Sequence, residues 1–192
     1  MIFVSVNPFA LKRFFLFLLA AIGFSCVSCF GQSMLLSVKN TPYDKQMTRI
    51  RPILAEESRH ATSNLSLGIV NYWIGDLRSI PYGFTKEWKT PAETQSGAPA
   101  DCKAKAVALY ERMQSHGAKN VRLVIGKRAA TSRCTHAWLE WDIASGTYVL
   151  DPTINWRAYQ GRDVGHRSYI PFYAYEGTRK FRAASTTLVA QN

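Results

Sequence analysis

The sequence predicts an α+β domain in which a helix that opens on a candidate nucleophile packs on an antiparallel β-sheet. Three stretches carry this. Over residues 100–113, Ala106, Leu109, Tyr110 and Met113 recur at i, i+3, i+4 and i+7, which is one apolar stripe of a helix. Val121, Leu123 and Ile125 alternate as in a strand, and Cys134, His136, Trp138 and Glu140 do the same after a polar interval. Ala144-Ser145-Gly146 then turns the chain back into Tyr148-Val149-Leu150-Asp151, so the last two runs form a hairpin.

The elements follow in order along 192 residues, enough for one domain with a sizeable core. Lys12 and Arg13 precede the short apolar run 14–22, and small residues follow from Ser25 to Gly31. Residues 1–31 therefore read as a signal peptide, and the protein as exported, periplasmic or secreted. The run is too short for a confident transmembrane helix. Two processing routes are open. Val27-Ser28-Cys29 is a weak lipoprotein-type site, with Cys26 where Leu is usual, and an ordinary signal peptidase would cut near Gly31. A lipidated or uncleaved N-terminus would associate with a membrane. Residues 32–64, with Pro42 and Pro52, read as an extended lead-in with one short helix around Ile53 to His60. The domain spans 65–185. Thr62-Ser63-Asn64 is a cap cluster before Leu67, Val70, Ile74 and Leu77, which recur at helical spacing. Pro81 and Gly83 stop that helix. Residues 81–100 read as a long loop, which in a compact domain tends to be functional. Asn120 opens a strand, 126–133 is a polar connection, and 170–181 is a last hairpin turning at Glu176-Gly177.

Composition and spacing narrow the chemistry. A formal charge of +11 favours acidic partners. The Lys and Arg residues are scattered with no basic arm, so nucleic acid is not the expected partner. No His/Cys spacing suggests zinc, no glycine loop suggests phosphate, and no metal is expected. The chain past residue 31 keeps Cys102 and Cys134; a disulfide between them and a packing role for Cys134 are both readings of that pair.

Cys102 lies on the first turn of its helix, after Asp101 as N-cap and with Gly117 as the stop. A helix N-terminus offers free N–H groups and a positive dipole, and both favour a thiolate. If Asp142 pairs with Thr147, then Trp138 faces Asp151, and Asp151 becomes the diagonal neighbour of His136. A slip of one residue would put Asp151 on the wrong face. Cys102, His136 and Asp151 then make one set. The thiolate attacks a carbonyl, the imidazole protonates the leaving group, and the carboxylate holds the ring in the right tautomer. The Cys102 N–H is the first oxyanion donor; Trp88 and Gln95 are candidates for the second. Trp138, Trp141 and Trp156 read as core and cleft walls. His60, His116 and His166 have no supporting context, and His116 suits a helix C-terminus.

The local contexts resemble the transglutaminase-like superfamily, which has a papain-like fold. Ala100-Asp101-Cys102, then His136-Ala137-Trp138-Leu139-Glu140-Trp141, then Val149-Leu150-Asp151-Pro152-Thr153 look like its three motifs in order. The closer resemblance is to the bacterial transglutaminase-like cysteine proteinases, where a Trp-x-Thr-Pro-x-Glu-Thr segment precedes the cysteine as Trp88 to Thr94 does here, and a Val-Asn pair recurs as in Val70-Asn71. The resemblance covers about residues 65–182. It implies a papain-like/transglutaminase-like core and a thiol peptidase acting through an acyl-enzyme on Cys102 with His136 and Asp151. Acyl transfer to an amine uses the same set, and a catalytically silent binding module keeps the same fold. The chain departs from the family where Gly-Asp-Cys-Glu-Asp is usual: Pro99-Ala100 precede Asp101, and Lys103-Ala104 follow Cys102. The family's calcium-dependent members use acidic side chains there. Lys103 replaces one, so calcium is not carried over. Lys103 and Lys105 favour the thiolate and offset Asp101. The implied partner is a protein or peptide substrate, with acidic or anionic ones suited to the charge.

Overall fold

The sheet is the frame on which everything else is placed. In a computed structural model that describes residues 34–56, 65–165 and 167–184, its strands are β1 (Leu35–Ser37), β2 (Val121–Ala129), β3 (His136–Ile143), β4 (Gly146–Leu150), β5 (Tyr159–Gln160), β6 (Ser168–Glu176) and β7 (Arg179–Ala183). Among the described residues they form one sheet in the order β1-β7-β6-β2-β3-β4-β5, and every pairing is antiparallel. The helices are α1 (Arg51–Ala55), α2 (Leu67–Ser79), α3 (Pro91–Gln95) and α4 (Cys102–Ser115). All described residues belong to one structural unit, Gly31–Asn192. None of their helices is long and apolar enough to cross a membrane.

Period-two alternation gives the sheet two faces with different work. Val121, Leu123 and Ile125 of β2, Ala137, Leu139 and Trp141 of β3, and Leu150 of β4 join the main core with α4. Val124, Trp138, Val149, Tyr169 and Ala174 form a smaller cluster on the other face. The α4 stripe Ala106, Leu109, Tyr110 and Met113 is fully buried, but so are Ala104, Val107 and Ala108. The helix is enclosed on nearly all sides, as its small residues allow. Each buried Leu or Met side chain contributes about 1.5–3 kcal/mol.

Both ends of α4 are fixed by their sequence. The Asp101 side chain accepts the Ala104 N–H at 3.1 Å as N-cap. At the other end Gly117 has φ +85°, a conformation that favours glycine. His116 Nδ1 lies 2.7 Å from the Arg112 carbonyl oxygen, so this histidine does meet the end of the helix. In α2 the buried residues are Val70, Trp73, Ile74 and Leu77, and Ser66 is the N-cap. Thr62-Ser63-Asn64 lies outside the described residues, as do His60, His166 and the 1–31 signal segment.

Three expectations are corrected, and one strand, β5, has no counterpart in the sequence reading. Residues 81–100 are not all loop, because Pro91–Gln95 is a helical turn closed by a capping box between Thr90 and Glu93. The lead-in contributes β1, which pairs with β7 at the sheet edge. Beyond Asp151 the chain adds β5 at the opposite edge. And β2 does not end at Gly126 but runs to Ala129, with the β2–β6 register shifting between Ile125 and Gly126. Phe172 is the extra residue of the resulting bulge. Gly126 permits it by close approach: a Cβ there would lie 2.0 Å from the Ile170 carbonyl oxygen and 2.8 Å from the Trp138 ring.

Candidate active site

Three elements deliver the candidate residues to one place. Cys102 is the first residue of α4 and is 9% exposed. His136 opens β3. The β3–β4 ladder pairs Asp142 with Thr147, as the sequence suggests, and continues to Leu139 opposite Leu150. One step further sets Asp151 opposite Trp138, on the diagonal from His136. His136 Nε2 is 2.7 Å from Asp151 Oδ2. Cys102 is near enough to the same imidazole to raise its pKa. Burial works against the imidazolium, but the bonds and charges of Asp151 and Cys102 outweigh it and raise the His136 pKa to about 9.

This has a consequence for stability. A histidine raised from 6.5 to about 9 stabilises the fold fully below its unfolded pKa, and that contribution is lost as pH rises through 9. The His136 side chain is only 11% exposed, so screening by solvent is slight. Denaturant melts should therefore show stability falling by of order 3 kcal/mol between pH 6.5 and 10. His136→Ala should remove most of that slope.

The carboxylate of Asp151 is fully buried and fully bonded. Its Oδ1 accepts the N–H groups of Thr153 at 3.0 Å and Ile154 at 3.3 Å, a turn closed by its own side chain. Its Oδ2 accepts the Tyr169 hydroxyl at 2.9 Å besides the imidazole. Asn155 Nδ2 donates to that hydroxyl at 2.9 Å. The Arg128 guanidinium lies 4.3 Å from the centre of the Tyr169 ring, and Trp138 meets the ring edge-on. Tyr169 has φ +53°, which costs a non-glycine residue about 1–3 kcal/mol. Arg78 of α2 clamps the turn from behind, donating to the carbonyls of Thr153 at 2.9 Å and of Ile154. Lys105, 2% exposed, donates to Ile80 O at 2.6 Å at the end of α2. Burial lowers its pKa and the Arg78 charge adds to this, while Asp151 acts in the opposite sense.

A second buried carboxylate fixes the loop before Cys102. Asp101 accepts the Thr85 N–H at 3.1 Å, the Ala104 N–H at 3.1 Å and the Lys103 ammonium. Lys103 Nζ also donates to Thr85 O at 2.9 Å and stands over the Phe84 ring. The ammonium gives this buried carboxylate a cationic partner. Among the described residues no group of three or more His, Cys, Asp or Glu side chains could hold a metal ion. Lys103 does offset Asp101, whereas Lys105 is committed to carbonyls of α2.

The remaining sequence candidates are scattered. Trp88 is buried, and its indole N–H has no partner among the described residues. Gln95 is exposed at the end of α3. Trp138 is fully buried beneath the His136 ring, stacked at 6.2 Å, so it packs the site from below and does not face an open cleft. Cys102 and Cys134 are both free thiols, the second exposed. Tyr82, 60% exposed, stands within electrostatic reach of both cysteines: burial raises its pKa first, then the charges of Cys102, Asp101 and Cys134. Sequence reasoning missed Tyr169, Asn155 and Arg78 as neighbours of the site, and gave Lys105 the thiolate rather than the carbonyls of Arg78 and Ile80.

The same architecture occurs in solved structures of LapG from Legionella pneumophila, a transglutaminase-like cysteine protease. The calcium-bound form matches with TM-score 0.54 at 15% identity, covering 77% of this chain and 85% of that one. The EGTA-treated form matches with TM-score 0.53 at 15% identity, over 76% and 80%. The fold is transglutaminase-like. No protein-family model matches the chain, and no curated protein matches it by sequence.

Proposed function

We propose that the protein is an exported cysteine peptidase, akin to the bacterial transglutaminase-like cysteine proteinases, that cleaves a peptide or amide bond through an acyl-enzyme on Cys102. The observation that carries this reading is the 2.7 Å bond from His136 Nε2 to Asp151, with Cys102 at a helix start within electrostatic reach of the same ring. With Nε2–H held by the carboxylate, the ring works on substrate through Nδ1. The Cys102 sulfur attacks the carbonyl carbon, and His136 gives its Nδ1 proton to the leaving amine as the C–N bond breaks. Neutral His136 then takes a proton from water, whose oxygen attacks the thioester, and the acid and free thiol are released. The N–H of Cys102 has no carbonyl partner within its own helix, which suits it to the oxyanion. Trp88, with its unpartnered buried N–H, is better supplied than exposed Gln95 to be the second donor.

The net charge of +11 supports an acidic protein or peptide as substrate. The Lys103–Asp101 pair supports activity without calcium, so EGTA should leave turnover unchanged. The test is a panel of thiol-reactive peptide probes on the purified protein, with His136→Ala as control. Covalent labelling of Cys102 that depends on His136 supports the reading; labelling no faster than that of a free thiol, and equal in the control, rules it out. A labelled amine added with a glutamine-containing protein distinguishes water from an amine as the group that resolves the acyl-enzyme.

A further inference from the structure

We propose that Tyr169 is a positioning residue of this site, whose phenol shares the Asp151 carboxylate with His136 and so sets how tightly that carboxylate holds the imidazolium proton. The inference rests on the reading of Cys102, His136 and Asp151 given above, and adds a fourth side chain to it. Both donors reach the same oxygen: His136 Nε2 at 2.7 Å and the Tyr169 hydroxyl at 2.9 Å meet at Oδ2, while Oδ1 is taken by two backbone N–H groups. A carboxylate oxygen that accepts a strong O–H bond has less charge to offer its other partner.

The phenol is built to stay a donor. It is buried, and burial first and the Asp151 charge second keep its proton on, with Arg128 opposing. Asn155 donates to the phenol oxygen, which orients the O–H and strengthens it as a donor. Packing alone does not explain the residue. A phenylalanine would fill the same space against Trp138 and Arg128, yet the chain places a tyrosine here in a left-handed backbone that bulky residues avoid. On β6 Tyr169 stands next to the Ile170 that packs against Gly126, and its hydroxyl reaches Asp151 at 2.9 Å. The charged and titratable groups facing this cluster are Cys102 and Lys105 from α4, Arg78 from α2, His136 from β3, Arg128 from β2, and Tyr82 beside the cysteine.

Tyr169→Phe removes the hydroxyl, so Asp151 draws harder on His136. The ring should lose its proton at a pH higher by about one unit, read by NMR titration of the His136 imidazole, with a melting curve confirming the fold. In the peptidase assay kcat should fall several-fold with KM unchanged, because His136 becomes a poorer proton donor. Asn155→Ala should shift the titration in the same direction by less, and it decides the matter if Tyr169→Phe does not fold. An unchanged or lowered His136 titration in a folded variant overturns the inference. The NMR reading needs no substrate, so it stands apart from the peptidase assignment, whose own failure would appear as turnover that persists in His136→Ala.

Discussion

Cys102→Ala should end turnover, by a factor of about 10⁵ or more, and end probe labelling at that position while leaving the fold intact. Cys102 is a small, nearly buried side chain at the first position of a helix that is enclosed on nearly all sides. Exchanging its sulfur for hydrogen leaves a void smaller than a methyl group would fill, at a cost of about 1 kcal/mol, and alanine is the best helix former. The melting temperature should therefore change little. Exposed Cys134 provides an internal control, since it should alkylate equally in both proteins. Turnover that survives the substitution would remove the acyl-enzyme from consideration.

Asp151→Asn should lower kcat by about 10³–10⁴ while costing stability as well. In other settings an amide can orient a catalytic imidazole through its oxygen. Here the turn forbids that, because the N–H groups of Thr153 and Ile154 at 3.0 Å and 3.3 Å claim the amide oxygen for the Oδ1 position. The NH₂ group is then forced toward His136 and the Tyr169 hydroxyl, which are both donors in the native site. The ring must change tautomer or lose its bond, and its burial is no longer opposed by a charge. His136 should titrate below its ordinary 6.5 instead of at about 9. At pH 7 the variant should lose of order 3 kcal/mol of stability, seen in denaturant melts. A His136 titration that stays above 8 would show that Asp151 is not what holds the proton.

The sequence disclosed those parts of the molecule where one pattern had one physical cause. The stripe of α4, capped by Asp101 and stopped by Gly117, required no tertiary information. The β3–β4 register followed from alternation across a short turn, and with it the approach of Asp151 to His136. What stayed hidden depended on contacts between distant elements. Tyr169 is one aromatic among several in a β-rich tail, and nothing nearby in the chain marks it as a partner of Asp151. Arg78 and Lys105 carry charges that ordinarily face water, yet they are drawn inward by carbonyls at the end of α2 and in the turn after Asp151. β1 and β5 are too short to show alternation. α3 did have a signal, since Thr90-Pro91-Ala92-Glu93 spells a capping box with proline at its first turn, but it sits in a stretch whose composition otherwise reads as loop.

The glycine at 126 gives the protein an unusual genetic profile. A mutational screen scored only by turnover would place that position beside 102, 136 and 151, although glycine has no side chain to take part in the proposed chemistry. Any side chain there pushes on Ile170, the immediate neighbour of Tyr169, on one flanking strand and on the Trp138 ring on the other. His136 is the direct ladder partner of Gly126, so the fault would surface at the imidazole and its carboxylate. Mutants at this position would be mistaken for lesions of the reaction itself, and second-site suppressors should be sought in the bulge around Ile170 to Phe172, not among the neighbours of Cys102.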